Sequence, residues 1–476
     1  MRNSQGQIGL DIHLIAIGGT GMAPLAALLK AQGHRVRGSD GPLYPPMSTL
    51  LEQAGIVPLV GFDPAHLSPA PDLVVVGNAV PRTNPEAQEA ERLGLPTLSM
   101  PQALARFCLA GRRPLVVAGT HGKTTTTAMA AWVWRSAGRD PGFLVGGLPK
   151  DLGTSFALGG GDRFIVEGDE YNAAYFDRGA KFLHYQPQTL ILTSAEYDHA
   201  DLYPTPEALY EAYGRLVGLL PKDGLLVACG DWPVVRELAG RARCRKLFYG
   251  LEPENDVRPL RGIDSRPDGS HFVVADAEAG EVEIHLPIAG DHNVANALGA
   301  WSAARADGLE PGTIARALAG FHGVARRLDA LGEACGVVVV DDFAHHPTAV
   351  EKTLAALARR YPGRRRIALY EPRSLTAGRR MFQEAYLEAF RLADRVLFAP
   401  VFHRGRLEAE EVLDLPALAA ELGHGSRCCA SNDEVLARAV ADSAPGDVIV
   451  TMSSGSFDGM PRRVLAALRE KQAVLE

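Results

Sequence analysis

Cysteine is scarce and without pattern: six among 476 residues, Cys108, Cys229, Cys244, Cys335, Cys428 and Cys429, forming no Cys-x-x-Cys pair and no metal-ligand spacing. That excludes a disulfide-stapled scaffold and fits a reducing compartment. Positive charge is also short. Lys plus Arg number 49 against 56 Asp plus Glu, a net charge of −7, which argues against nucleic acid as the main partner. No apolar run approaches the length that crosses a bilayer, so membrane insertion is not expected. Residues 1–19 pass from a polar stretch directly into a strand pattern, and a cytoplasmic location is expected. Low-complexity tracts are missing too. What remains, 46% hydrophobic and 22% charged residues, is the composition of a packed globular protein. Its length predicts about three domains at roughly 150 residues each.

The chain divides accordingly into three α/β units, expected at residues 1–112, 113–320 and 321–476. The first opens with an apolar strand over 12–18, the helix PLAALLKAQG and a second strand ending at Asp40, a βαβ beginning of Rossmann-like type. Gly18, Gly19 and Gly21 with an acid about twenty residues on resemble a dinucleotide fingerprint. The last glycine of that pattern is replaced by Pro24, which weakens a nicotinamide reading. The second unit alternates strands, including RFIVEG (163–168) and TLILTS (189–194), with helices, as a mainly parallel sheet does. It also contains a less regular stretch over 271–288 that reads as antiparallel. The third, again Rossmann-like, shows strands GVVVVDD, RRIALYEP, DRVLFAP and GDVIVTM between alanine- and leucine-rich helices.

The most informative segment is PLVVAGTHGKTTTT, residues 114–127. Gly119 and Gly122 let backbone approach phosphate oxygens, and amides at a helix start point toward them. Lys123 supplies a positive charge, and the Thr124 hydroxyl suits Mg²⁺. The segment therefore predicts a nucleoside-triphosphate site over Gly119, Thr120, His121, Gly122, Lys123, Thr124 and Thr125. The spacing is not that of the general phosphate loop, which has glycine where this chain has Val117. The central unit is P-loop ATPase-like in this restricted sense. Glu167 ends one strand and His199 lies just beyond another, and two neighbouring strand ends would bring both beside the loop.

GTHGKTTT resembles the ATP-binding loop of the Mur ligase family, the amide-forming enzymes of bacterial cell-wall precursor synthesis. The resemblance extends over essentially the whole chain. It implies ATP and Mg²⁺ as cofactors, catalytic roles for Lys123, Glu167 and His199, and Thr124, Glu167 and His199 as metal ligands. GDHNVANALGA (290–300) resembles the adenine-side segment and implies His292, Asn293 and Asn296 there, although Asn293 could instead cap a helix. Arg327, Asp342, His345 and His346 are implied as third-domain residues that close over ATP. IGGTGM, GSD and GNAVPRTNPE resemble the walls of a UDP-sugar site, implying Gly18, Gly19, Thr20, Gly21, Met22, Ser39, Asp40 and Asn78. Helix-start amides there can hold a diphosphate in an acidic protein.

Many relatives carry a carbamylated lysine in the helix after the histidine, and residues 200–220 contain none. This is similar to the branch that joins its second substrate directly to UDP-N-acetylmuramate. YPPMSTLLE (44–52), EPRS (371–374) and MSSGSFDGM (452–460) resemble the members that add the murein tripeptide L-alanyl-γ-D-glutamyl-meso-diaminopimelate, with Arg373 and Ser374 meeting the peptide. A planar guanidinium suits a carboxylate. The alternatives are an L-alanine-adding ligase of the same family and a regulator that binds nucleotide or UDP-sugar without turnover. Oligomeric state has no sequence signal here.

Overall fold

The computed structural model describes residues 9–475, so residues 1–8 of the expected first unit and Glu476 lie outside the described residues. The first sheet is wholly parallel, in the order β3-β2-β1-β4-β5, from β1 (Asp11–Ile15), β2 (Arg35–Asp40), β3 (Leu59–Val60), β4 (Leu73–Val76) and β5 (Thr97–Ser99). β1 ends three residues before the sequence pattern predicts. Ala16 takes a φ of +62°, which an extended strand cannot contain, and turns the chain into the glycine loop. The helix Met22–Ala31 follows with Pro24 in its first turn, where a missing N–H is tolerated.

The central sheet runs β14-β13-β12-β6-β9-β7-β8. Its strands are β6 (Arg113–Ala118), β7 (Gly142–Leu144), β8 (Phe156–Ala157) and β9 (Arg163–Gly168). After a small hairpin, β10 (Asn172–Ala174) and β11 (Asp177–Ala180), come β12 (Thr189–Leu192), β13 (Leu225–Cys229) and β14 (Arg245–Tyr249). Within the seven-stranded sheet all pairings are parallel except β7 with β8, and the separate β10–β11 hairpin is antiparallel. β9 and β12 are not neighbours, as the sequence reading had them. They flank β6 on either side, so the nucleotide loop leaves the sheet between them. β15 (Asp264–Arg266), β16 (Gly269–Asp276) and β17 (Gly280–Leu286) form the antiparallel sheet expected near 271–288.

The third sheet is ordered β18-β19-β23-β20-β21-β22, from β18 (Asp329–Ala334), β19 (Val337–Asp342), β20 (Arg366–Tyr370), β21 (Arg395–Phe398), β22 (Arg427–Cys428) and β23 (Val448–Met452). Only β18 is antiparallel in it.

The apolar cores partition unevenly. One cluster runs from Ile12, Leu25 and Leu104 through to Val116, Phe182 and Leu216, so the first and central units share it. A second packs the helices Lys123–Ser136 and Asp291–Ala306 together on the other face of the central sheet. The third unit has two clusters of its own, with Ala289 the one central-unit residue among them. Among the described residues no helix is long and apolar enough to cross a membrane.

Candidate active site

Leu115 to Ala118 are fully buried in β6 and deliver the chain into the loop. Gly119 has a φ of +130°, and a Cβ there would lie 2.3 Å from Thr193 Oγ1. Gly122 has a φ of +82°, and its Cβ would lie 2.5 Å from Asn296 Oδ1. Neither place admits a side chain. The helix Lys123–Ser136 starts at Gly122 without a side-chain cap, leaving its first-turn amides free to meet an anion.

Charge gathers around the helix start. Lys123 Nζ lies 2.9 Å from both carboxylate oxygens of Glu170 and donates to the Gly119 carbonyl at 2.7 Å. Burial would lower its pKa, but Glu170, Asp169 and Glu167 outweigh it and raise the group. His199 Nε2 reaches the same Glu170 at 2.8 Å. Burial would lower this imidazole as well, yet the Glu170 hydrogen bond and the Asp198 and Glu170 charges push it up to about 9. On the other side Thr124 Oγ1 donates to Glu167 Oε1 at 2.9 Å, and the Gly146 amide holds Oε2 at 2.8 Å. Burial raises the Glu167 pKa against the pull of Lys123.

Glu167 and His199 thus face the loop from opposite flanks, and Glu170 is the residue that ties Lys123 to His199. Sequence reasoning assigned Glu170 no role. Its signal was present in the run Glu167-Gly168-Asp169-Glu170, three carboxylates crowded at a strand end beside a lysine loop. Glu170 is 1% exposed, and its backbone carbonyl accepts from Tyr203.

The remaining predicted residues fall into two groups. Near the loop, Asn296 packs on Gly122 and donates to Asn293 Oδ1 at 3.2 Å, while Asn293 donates to the Ala289 carbonyl at 2.7 Å. Gly290, not Asn293, occupies the N-cap. Burial pushes neighbouring His292 down to about 3, so its ring is neutral. Arg327 arrives from the third unit, its Nη2 3.3 Å from Thr124 Oγ1 and its guanidinium over the Phe343 ring. Thr120 Oγ1 bonds the Glu196 backbone at 2.7 and 2.9 Å, and Thr125 is buried in the helix's first turn.

Others are turned to local duties. The Asp342 carboxylate accepts from the Leu328 and Ala344 amides and the Thr353 hydroxyl, which organises its own loop. The His121 ring is aimed at Glu196, 2.6 Å away. In the first unit Asp40 Oδ2 accepts from the Gly18 amide at 2.7 Å and Oδ1 from Gly41, so the acid braces the glycine loop. Gly19 donates to Ala16, Gly21 precedes the helix that Met22 begins, and Thr20 and Asn78 are exposed beside it. Ser39 instead donates into a buried cluster around Glu86. Arg373 lies 3.7 Å above the Phe402 ring and 3.7 Å from Glu371, with its side chain 30% exposed. The Ser374 hydroxyl accepts from Ala377.

A parallel sheet whose phosphate-type loop gathers a lysine, two carboxylates and a histidine, under an arginine brought from another domain, defines a nucleotide-dependent enzyme that works between domains. Sequence comparison makes the class specific. Residues 11–112 match the Mur ligase family, catalytic domain; 117–304 the Mur ligase middle domain; and 326–455 the Mur ligase, glutamate ligase domain. The chain belongs to the Mur ligase family, and it is an ATP-dependent, ADP-forming amide ligase.

It is similar to the UDP-N-acetylmuramate–L-alanyl-gamma-D-glutamyl-meso-2,6-diaminoheptandioate ligase of Escherichia coli (strain K12), at 39% identity over 97% of this chain and 99% of that one. The UDP-N-acetylmuramate–L-alanine ligase of Rubrobacter xylanophilus is 36% identical over 96% of this chain and 100% of its own. Among solved structures, a murein peptide ligase from Psychrobacter arcticus 273-4 superimposes with a TM-score of 0.73 at 34% identity, covering 97% and 99%.

Proposed function

We propose that this enzyme joins L-alanyl-γ-D-glutamyl-meso-diaminopimelate to the lactyl carboxylate of UDP-N-acetylmuramate in peptidoglycan recycling, in the bacterial cytoplasm. The single observation that carries the chemistry is the Lys123, Glu170 and His199 chain of contacts at the nucleotide loop. The substrate rests on similarity along the full chain to the tripeptide-adding relative, with Arg373 presenting a part-exposed guanidinium in the third domain.

The lactyl carboxylate attacks the γ-phosphate of ATP, forming an acyl phosphate and releasing ADP. Lys123 and the first-turn amides meet the charge that spreads over the transferring phosphoryl oxygens. The peptide's α-amine then adds to the acyl carbon, and collapse of the tetrahedral intermediate expels phosphate and leaves the amide. Thr124, Glu167 and His199 are the residues that would hold Mg²⁺. Thr124 and Glu167 fit it: a hydroxyl and a carboxylate oxygen stand 2.9 Å apart, and burial destabilises the Glu167 charge in a way a dication would reverse, whereas His199, protonated and bonded to Glu170, has to give up its proton to serve as the third ligand. Bound Mg²⁺ would neutralise phosphate charge. Arg327 reaches Thr124 only while the third domain is against the loop, so closure both completes the site and keeps water from the acyl phosphate.

The test is substrate-specific phosphate release with ATP, Mg²⁺ and UDP-N-acetylmuramate. The tripeptide should support ADP formation and L-alanine should not. Turnover with L-alanine alone would assign the activity of the Rubrobacter relative instead. Thermal stabilisation by the ligands with no ADP from either amine would mean a binding protein without turnover.

A further inference from the structure

His121, Glu196 and His346 bring one ligand atom each to within 4.8 Å of one another. They come from three places in the fold: the nucleotide loop, the segment after β12, and the residue that precedes the third-domain helix Pro347–Arg360. His121 Nε2 is 2.6 Å from Glu196 Oε2, and His346 Nδ1 is 3.7 Å from the same oxygen. Thr348 donates to the other Glu196 oxygen at 2.7 Å, which orients the carboxylate as outer partners of a metal ligand do.

His346 is the residue that most needs an explanation. It is 5% exposed, and neither ring nitrogen has a hydrogen-bond partner. Buried polar atoms are normally satisfied. Burial and the His121 charge lower its pKa, against Asp198, Glu196 and a loose contact with the Tyr197 backbone, so the imidazole is neutral and offers a lone pair. Burial would raise Glu196, but the His121 hydrogen bond and charge hold its carboxyl down to about 2, so it is ionised. Two imidazoles and a carboxylate are borderline donors that favour zinc-like ions over Mg²⁺. Ligand atoms around tetrahedral zinc stand about 3.3 Å apart, given metal–ligand bonds of about 2.0–2.2 Å. The present spacings bracket that value.

We propose that His121, Glu196 and His346 form a binding site for a zinc-class dication, separate from the Thr124, Glu167 and His199 set. Occupancy pins the third domain to the nucleotide loop, because the ligands come from both sides of the boundary.

The test uses the full chain, stripped of metal by a chelator and dialysed against micromolar Zn²⁺ in millimolar Mg²⁺. One zinc per chain is expected. His346→Ala should weaken binding at least about tenfold. His271→Ala should leave it unchanged, although His271, His285 and Asp268 form a second, more exposed group of potential ligands. In His346→Cys, Co²⁺ should add a thiolate-to-metal absorption that wild type lacks, which identifies the ligand even where the alanine variant does not fold. Any one of three results overturns the site: no stoichiometric zinc in wild type, zinc lost from His271→Ala but kept in His346→Ala, or no thiolate band in His346→Cys.

Discussion

The central domain meets its two neighbours through different materials. Toward the first domain the boundary is apolar, one continuous cluster that includes Leu25, Leu104 and Phe182, with Phe156 packed against it. Toward the third, beyond Phe321 and Val324, which are buried in the central cluster, it is mostly polar: Arg327 to Thr124 at 3.3 Å, Thr348 to Glu196 at 2.7 Å, the Ala200 amide to Thr376 at 3.3 Å and Lys150 to Asp329 at 2.6 Å. Apolar burial is lost outright when surfaces part, whereas each hydrogen bond can be exchanged for one with water at small net cost. The first two domains therefore behave as one body, and the third is the part that can separate.

The largest effect should come from the side of the polar boundary where the phosphate chemistry sits. Lys123→Ala should reduce turnover about 100-fold or more while leaving UDP-N-acetylmuramate binding intact, since the ammonium meets charge that grows in the transition state. Retention of more than a tenth of the turnover would take the phosphoryl chemistry away from this loop.

Next is stability, where the two boundaries should part company. Leu104→Ala, in the shared cluster, should cost about 2–5 kcal/mol by chemical denaturation. Thr348→Ala, on the polar side, should cost only about 0.5–1.5 kcal/mol. Equal losses would erase the distinction between the boundaries.

Arg373→Lys keeps the charge and loses the planar fork. It should lower kcat/KM for the tripeptide roughly tenfold, with the KM values for ATP and UDP-N-acetylmuramate unchanged. A change confined to ATP would place peptide recognition elsewhere in the third domain.

The most gradual effect is a pH slope inside the central domain, spread over the pH range rather than set by one substitution. Folding lifts His199 from an ordinary 6.5 to about 9, so the folded chain binds this proton more tightly than the unfolded one. That stabilisation is whole below pH 6.5 and is lost as pH rises through 9. Denaturation of the ligand-free protein at steps between pH 6.5 and 9.5 should show the decline, and Glu170→Gln should flatten it. A slope identical in the variant would mean that Glu170 does not hold the proton on His199.

What the sequence made legible was local. Gly119, Gly122 and Lys123 sit in one short run, and each has a reason visible from neighbours a few residues away. Glu167 and His199 were readable as strand-end residues, though not the order of their strands, because strand adjacency depends on pairings across the sheet. Glu170 was missed because its partners lie 47 and 29 residues away in sequence and no periodicity marks them. Asn293 reads equally well as a cap or an interior helix residue, and Gly290, with a φ of +103°, takes the cap instead. Asp342 looked available for nucleotide until its backbone partners were known. The antiparallel pair β16 and β17 and the α/β character of the three units followed from chain length and hydrophobic period, whereas β15 lies outside the stretch that the sequence marks.

His199 holds a left-handed backbone at φ +57°. An imidazole-bearing residue tolerates that conformation at some cost, whereas glycine adopts it freely and asparagine more readily than most. Above pH 9, where the imidazolium no longer contributes stability, directed evolution for heat resistance would therefore find His199→Gly or His199→Asn attractive, because either relieves the backbone strain. The same exchange would delete the ring that Glu170 and Asp198 keep protonated. A selection that scores survival on heating alone would drift toward a sturdier and silent protein, so any stabilisation campaign on this scaffold has to exclude this position or couple the screen to ligation.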